Sequence, residues 1–393
     1  MTNPESPDPI MATYLRWPVE FVEGHGATLT DARGRNYVDL MAGIAVASVG
    51  HAHPHVAEAV AQQASTLVHV SNLYGTRPQR ELALRLQELT AGMVSFFCNS
   101  GAEAIECALK LARVWASAHK DDHAYRVVAA DGSFHGRTFG ALAATGQPAK
   151  QRPFAPMLEG FTHVPYGDAG ALDAAVDDGV AAVLLEPIQG EAGVVVPPDD
   201  YLATARRLCD ERGCLLVLDE IQTGLARTGA WFAHQHHGIV PDVMCLAKAL
   251  AGGLPMGACL ARPDVAQAFS AGDHASTFGG GPVQSAAAIA ALEVIDKEGL
   301  VERAATLGPP MLRSLGSVFG EHGRPRGKGL LIGVELDRPL AREVAERALE
   351  GGVLVNDATK HVVRICPPLV ITEEEWERAL GVLEEVWGEI GAA

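Results

Sequence analysis

The chain has 393 residues, 48% of them hydrophobic and 6% aromatic, with a formal net charge of −17. That is enough apolar material for a large core or two domains, and an acidic surface that repels phosphate backbones argues against a nucleic-acid partner. No apolar stretch approaches the roughly 20 residues that cross a bilayer, and no basic segment followed by an apolar one marks a secretory signal. The seven cysteines are scattered without a CxxC pair, as expected of buried thiols in a reducing cytoplasm.

In chain order, the turn Asp31-Ala-Arg-Gly34 precedes a short predicted strand over 37–41. From about Val56 to Ala291 the pattern strand, turn, helix repeats. Strands are predicted at 94–98, 126–130, 181–186, 214–220, 243–247 and 258–261, with helices between several of them, such as 102–118 and 200–211. This alternation predicts an α/β fold with a mostly parallel central sheet covered by helices on both faces. A long alanine-rich helix is predicted from Val283 to about Glu298. Beyond it the character changes: 329–336 and 361–366 read as strands and 373–389 as a closing helix. Residues 56–291 are therefore expected to form the large domain, and 1–55 with 292–393 a smaller α+β domain.

Two predicted strands end on reactive groups. The run 243–247 stops at Lys248, and 214–220 closes on Asp219 and Glu220. Ligands of open α/β sheets gather outside the carboxyl ends of the strands, so Lys248 and Asp219 are expected in one crevice. A lysine at the edge of an apolar site loses solvation, its pKa falls, and it can form a Schiff base with an aldehyde. A carboxylate nearby keeps a pyridinium nitrogen protonated. Together they point to pyridoxal 5'-phosphate. In Asp219-Glu-Ile-Gln222, Asp219 would lie under the ring nitrogen, Ile221 against its face and Gln222 at its phenolic oxygen.

Other strand ends add to this. Asn99-Ser-Gly-Ala-Glu103 opens a helix, and Ser100 with Glu103 has the spacing of a capping box. The same segment, with Gly101, would let a phosphate approach free helix amides, and both readings stay open. In Ser133-Phe-His-Gly-Arg137, Phe134 can stack on a flat ring and Arg137 can clamp a carboxylate; a core phenylalanine beside a surface arginine is the plainer alternative. Glu186-Pro-Ile-Gln-Gly-Glu191 carries two carboxylates that suit acid–base work or a solvated loop. The tracts His51-Ala-His-Pro-His55 and His234-Gln-His-His237 lack carboxylate or cysteine partners at ligand spacing, so no metal site is expected.

Asn99-Ser-Gly-Ala-Glu103, Phe134-His-Gly-Arg137, Glu186-Pro-Ile-Gln-Gly-Glu191, Asp219-Glu-Ile-Gln-Thr-Gly224 and Lys248, in this order, resemble the class III pyridoxal-phosphate-dependent aminotransferases. The likeness runs from about Tyr14 to the C-terminal helix. Gly43-Ile-Ala-Val46, Gly50-His51, His53-Pro54, His69-Val-Ser-Asn72 and Ser276-Thr-Phe-Gly-Gly280 are similar to the members that act on acetylornithine. The resemblance implies a fold-type I transferase and a homodimer with its sites at the interface. It further implies transfer of the terminal amino group of N2-acetyl-L-ornithine to 2-oxoglutarate, giving N-acetylglutamate semialdehyde and L-glutamate, a step of arginine biosynthesis. Succinylornithine, succinyldiaminopimelate or another omega-amino donor, and an aminomutase on the same scaffold, are the alternatives.

Carried over by residue, the resemblance implies that Lys248 binds the cofactor as a Schiff base and Asp219 pairs with the pyridinium. Gln222 would contact the phenolic oxygen, Phe134 and Ile221 sandwich the ring, and Ser100, Gly101 and Ala102 hold the phosphate. Thr277 would reach the phosphate of the neighbouring subunit, with Ser276 beside it near substrate. Arg137 would hold the α-carboxylate of acetylornithine and Arg364 that of glutamate, with Glu191 neutralising Arg364 while the first substrate reacts at its terminal amine. Gly281 stands where the class usually has asparagine, and Ala275 and Ala226 where glycine is common. Class members that act on free ornithine carry a tyrosine near 43–47; its lack here favours an N-acylated donor.

Overall fold

The computed structural model describes residues 9–120 and 123–392. Strands β1 (Phe21–His25), β2 (Thr28–Asp31) and β3 (Asn36–Asp39) form an antiparallel meander. The central sheet follows with β4 (Val94–Cys98), β5 (Arg126–Ala130), β6 (Phe161–Val164), β7 (Val180–Leu185), β8 (Leu215–Asp219), β9 (Val243–Leu246) and β10 (Gly257–Ala261), in the order β4-β10-β9-β8-β7-β5-β6. Strands β5 to β9 run parallel, while β10 is antiparallel to both of its neighbours, β9 and β4. The expected mostly parallel α/β sheet is therefore present. A third sheet takes β11 (Gly323–Lys328) and β12 (Leu331–Leu336); β13 (Val353–Leu354) leaves to pair in parallel with β3, and β14 (Asn356–Thr359) and β15 (Val362–Ile365) complete the order β11-β12-β15-β14.

Continuous apolar runs explain the middle of the large sheet. Every residue of β7 and of β8 is buried, as strands covered on both faces must be. Alternate residues go to opposite faces. Ala182, Leu184, Leu215 and Val217 pack under the helix Gly101–His119, and Val183, Leu185, Leu216 and Leu218 under the helix Tyr201–Arg212. A larger core ties the helices Pro54–Thr66 and Pro282–Lys297 to the third sheet and the closing helix, through residues such as Val56, Ala287, Ile332, Val363 and Leu383.

Three local features depart from the expected pattern. The strand expected to run to residue 41 stops at Asp39, because the chain then makes a left-handed turn: Ala42, Gly43, Ile44 and Ala45 all have φ between 49° and 66°. Such a turn costs roughly 1–2 kcal/mol per non-glycine residue. Asp39 holds it, its Oδ1 accepting the amides of Met41 at 2.8 Å and Ala42 at 2.9 Å, while its Oδ2 binds His51 at 2.7 Å. Ala45 is buried against Ile188, Leu331 and Cys366. The strand expected from 329 begins only at Leu331, since Gly329 turns at φ 55°, and a Cβ there would lie 2.4 Å from the Thr228 carbonyl carbon. Strands β1, β2, β6, β11, β13 and β14 are not among those expected; β6 is a half-exposed edge strand with little apolar signal.

Beside that turn lies Arg227, fully buried. Its Nη1 donates to the carbonyls of Leu330 at 3.0 Å and Pro367 at 2.6 Å, and its Nη2 to Ser48 Oγ at 2.9 Å. Burial pulls its pKa down to about 10, so it stays charged at neutral pH and joins three separate segments.

Candidate active site

The loops that follow β4, β5, β7, β8 and β9 converge on a cavity of about 420 Å³. Ser100, Gly101 and Ala102 line it from the first loop, Phe134 and Arg137 from the second, Glu186 and Glu191 from the third. Asp219, Ile221 and Gln222 come from the fourth and Lys248 from the fifth, and Val46, just past the left-handed turn, closes one wall. The residues expected at strand ends are thus brought together because parallel strands deliver their carboxyl ends to one edge.

Lys248 has φ 45°, a left-handed conformation that a lysine seldom takes, of the kind that recurs at functional sites. Its amine is buried. Desolvation lowers its pKa, with Arg364 acting in the same direction and Glu191 and Asp219 opposing. Asp219 is fixed from two sides: His135 Nδ1 donates to its Oδ2 at 2.7 Å, and the Ile221 amide donates to its Oδ1 at 3.1 Å. The other ring nitrogen of His135 is buried and has no hydrogen-bond partner among the described residues.

At the phosphate end, Ser100 Oγ accepts the Glu103 amide at 3.2 Å, and the Glu103 carboxylate accepts the Asn99 amide. The cap and the phosphate cradle are compatible, since the first-turn amides of Gly101 and Ala102 have no intrahelical acceptor. A Cβ on Gly101 would sit 2.8 Å from Ile221 Cδ1, so only glycine lets the two loops approach.

The two acids of the third loop are shifted in opposite directions. Burial pushes the Glu186 carboxyl well up, and the Asp219 charge pushes it further; it accepts the Phe134 amide at 3.2 Å. Burial would also raise Glu191, but the Arg364 and Lys248 charges outweigh it and hold its pKa at about 2. Arg364, on β15 and wholly buried, lies behind the cavity. Its Nη1 donates to Glu191 Oε1 at 2.6 Å and to Gln222 Oε1 at 3.3 Å, and its Nη2 donates to Asn356 Oδ1 at 2.7 Å.

Ser276 and Thr277 lie apart from this cavity. They line a separate depression with Phe96 and Glu103, where Asn99 Nδ2 donates to Ser276 Oγ at 3.3 Å and Thr277 is exposed. The histidine tracts pair with single acids: His51 with Asp39, His53 with Glu298, His55 with Glu293 and His234 with Glu220. Two site residues were not given roles from the sequence. His135 had a signal, its place inside the Phe134–Arg137 motif, but nothing in the spacing named Asp219 as its partner. Asn356 had none.

The donor set fits pyridoxal 5'-phosphate: a buried amine of lowered pKa for its aldehyde, a braced carboxylate for its ring nitrogen, and open amides at a helix N-terminus for its phosphate. Fold and site together define a fold-type I pyridoxal-phosphate transferase. The family model described as aminotransferase class-III matches residues 11–387. An acetylornithine aminotransferase of Mycobacterium tuberculosis is 51% identical over 383 residues, covering 96% of this chain and 94% of its own. Among solved structures, the ornithine aminotransferase of Toxoplasma gondii superposes with TM-score 0.94 at 36% identity, covering 98% of this chain and 93% of its own. The acetylornithine aminotransferase of Elizabethkingia anophelis does so with TM-score 0.87 at 33% identity, covering 96% of each chain. The chain belongs to the class III aminotransferases and is a pyridoxal-phosphate-dependent enzyme.

Proposed function

We propose that the enzyme moves the terminal amino group of N2-acetyl-L-ornithine to 2-oxoglutarate, giving N-acetylglutamate semialdehyde and L-glutamate, as a cytoplasmic homodimer. The observation that carries this is the buried ion pair between Glu191 and Arg364. The two half-reactions present different amines, a terminal one and then the α-amine of glutamate. A site that serves both must hide an arginine charge for one substrate and expose it for the other, and a carboxylate gate does so by shifting between two paired states. An internal amine shift has no use for such a gate. The 51% identity to the M. tuberculosis acetylornithine aminotransferase supports an acylated donor, as does Val46, rather than a tyrosine, on the cavity wall.

Bound pyridoxal phosphate supplies an aldehyde that accepts the amine and a ring that withdraws electrons. Lys248 would anchor it, and Lys248 Nζ, freed when the substrate amine takes its place, would move the proton off the amine-bearing carbon of the substrate; the lowered pKa leaves this amine able to act as a base. Asp219, braced by His135, would face the ring nitrogen. Phe134 and Ile221 would sandwich the ring, Gln222 would contact its phenolic oxygen, and Ser100, Gly101 and Ala102 would receive the phosphate. Arg137 binds the α-carboxylate of acetylornithine, and Arg364, released by Glu191, that of glutamate. Thr277, with Ser276 beside it, completes the site of a second copy. Exposed Leu73, Tyr74 and Phe278 close to that segment support such an interface. The test is a panel of acetylated, succinylated and free ornithine, lysine and diaminopimelate donors, compared by kcat/KM with 2-oxoglutarate. Acetylornithine should lead it, and a higher value for free ornithine would reject the proposal.

A further inference from the structure

Lys150 has no part in the chemistry so far described, yet it stands beside Phe134, one wall of the cavity. Its Nζ is 5.4 Å from the centroid of the Phe134 ring, and the guanidinium carbon of Arg137 is 5.7 Å from the same centroid. Two cations therefore flank one aromatic wall of the site. A shared ring attracts each of them, but their charges repel each other.

The segment that carries Lys150 is built to hold it there. Gln147 Nε2 donates to the carbonyls of Gly132 at 3.1 Å and Ser133 at 3.2 Å, and Gln151 Nε2 donates to those of Leu142, Ala143 and Thr145. Gln147 thus pins the start of the short helix Pro148–Gln151 to the loop that bears Phe134, and Gln151 pins its end to the helix Phe139–Ala144 and the residue after it. Lys150 Nζ itself donates to Gln147 Oε1, a neutral acceptor. It is half-buried; desolvation lowers its pKa, and Glu191, Arg137 and Arg364 all lie close enough to act on its charge. The acid that attracts it, Glu191, is already bound to Arg364 at 2.6 Å.

Charge balance then identifies the missing partner. Four basic side chains, Lys150, Arg137, Arg364 and Lys248, lie at or beside the cavity against three acidic ones, Glu186, Glu191 and Asp219. In a chain of net charge −17 this local positive surplus favours anionic ligands. We propose that Lys150 is a specificity residue which, with Arg137, forms a two-cation clamp on the carboxylate farthest from the reacting carbon: the γ-carboxylate of the dicarboxylic acceptor and the α-carboxylate of the omega-amino donor. The clamp rests on the transamination between carboxylate-bearing substrates proposed above. Arg137 gives it direction through a forked contact, and Lys150 gives it a second charge from the other side.

The experiment compares wild-type holoenzyme with Lys150→Met and Lys150→Arg. Steady-state constants are measured for acetylornithine, 2-oxoglutarate and a simple diamine without a carboxylate, and glutarate, which lacks a reacting carbonyl, is titrated by calorimetry. Lys150→Met should raise KM for both carboxylate substrates and weaken glutarate binding by about tenfold, with the loss concentrated in KM and the diamine unaffected. Lys150→Arg should recover most of it. KM values and glutarate affinity within about twofold of wild type in Lys150→Met, or an equal loss with the diamine, would overturn the role of Lys150 alone. A wild-type enzyme that transfers no amine from any omega-amino carboxylate would instead overturn the function on which the clamp rests.

Discussion

Arg364 and Glu191 meet at 2.6 Å from strands and loops far apart in the chain, and the two sides of the pair are unequally buried. The guanidinium is enclosed and also held by Gln222 and Asn356, whereas the carboxylate is 24% exposed and faces the cavity. The arginine is the fixed member and the glutamate the movable one.

Glu191→Ala should therefore leave the arginine in place and uncovered. We expect the half-reaction with glutamate to be retained or accelerated, and that with acetylornithine to slow by about tenfold or more, as a permanently exposed cation recruits the wrong carboxylate. Single-turnover rates for the two half-reactions, followed by cofactor absorbance, give the ratio. An unchanged ratio would remove Glu191 as a gate.

The same pair has a pH signature. The Glu191 pKa is depressed from its ordinary value of 4.5 to about 2, so the unfolded state binds more protons in that interval. Its contribution to stability is complete above about pH 4.5 and is lost as pH falls toward 2. Urea denaturation of wild type and Glu191→Gln should show the stability difference shrinking over that window and staying constant from pH 5 to 8.

Lys248→Ala should bind pyridoxal phosphate without a covalent bond and lose turnover by several orders of magnitude. Borohydride treatment of wild type should fix the cofactor on the peptide containing Lys248, read by mass spectrometry. Near-normal turnover in the variant would take Lys248 out of the mechanism.

His135→Phe tests the brace on Asp219. Loss of the 2.7 Å bond leaves the carboxylate with one hydrogen bond in a buried setting, and cofactor affinity should fall by about tenfold. Reconstitution of apoenzyme, with the dissociation constant read by fluorescence, measures it, and an affinity equal to wild type would show that Asp219 needs no second partner.

Arg227→Met should keep an unbranched side chain there but strand the carbonyls of Leu330 and Pro367. A loss of about 3 kcal/mol in unfolding free energy is expected, measured by chemical denaturation of the holoenzyme.

Strands with long apolar runs were readable from the sequence nearly to the residue: 94–98 and 126–130 match β4 and β5, and 243–247 exceeds β9 by one residue. In β5 and β9 nearly every residue is buried and this writes itself into composition, while β4, an edge strand, is legible through the apolar run Phe96, Phe97 and Cys98. The edge strand Phe161–Val164 was not readable, because an edge needs less apolar surface. The helix Leu300–Phe319 was hidden by Pro309 and Pro310 within it. In the site, residues that end strands were readable because parallel topology forces them together. Asn356, which faces Arg364 across paired strands of the third sheet, and His135, which meets Asp219 only in space, leave no trace in spacing.

The left-handed turn at 42–45 has a bearing on how this enzyme can change over generations. Its unusual handedness is secured from outside the cavity, by Asp39 and the packing around Cys366, and so does not depend on which side chain residue 46 turns toward the ligand. Val46 is a pane in a fixed frame. Exchanging it reshapes the space beside the donor while every reacting group keeps its support, so the menu of substrates and the chemistry performed on them are separately heritable traits.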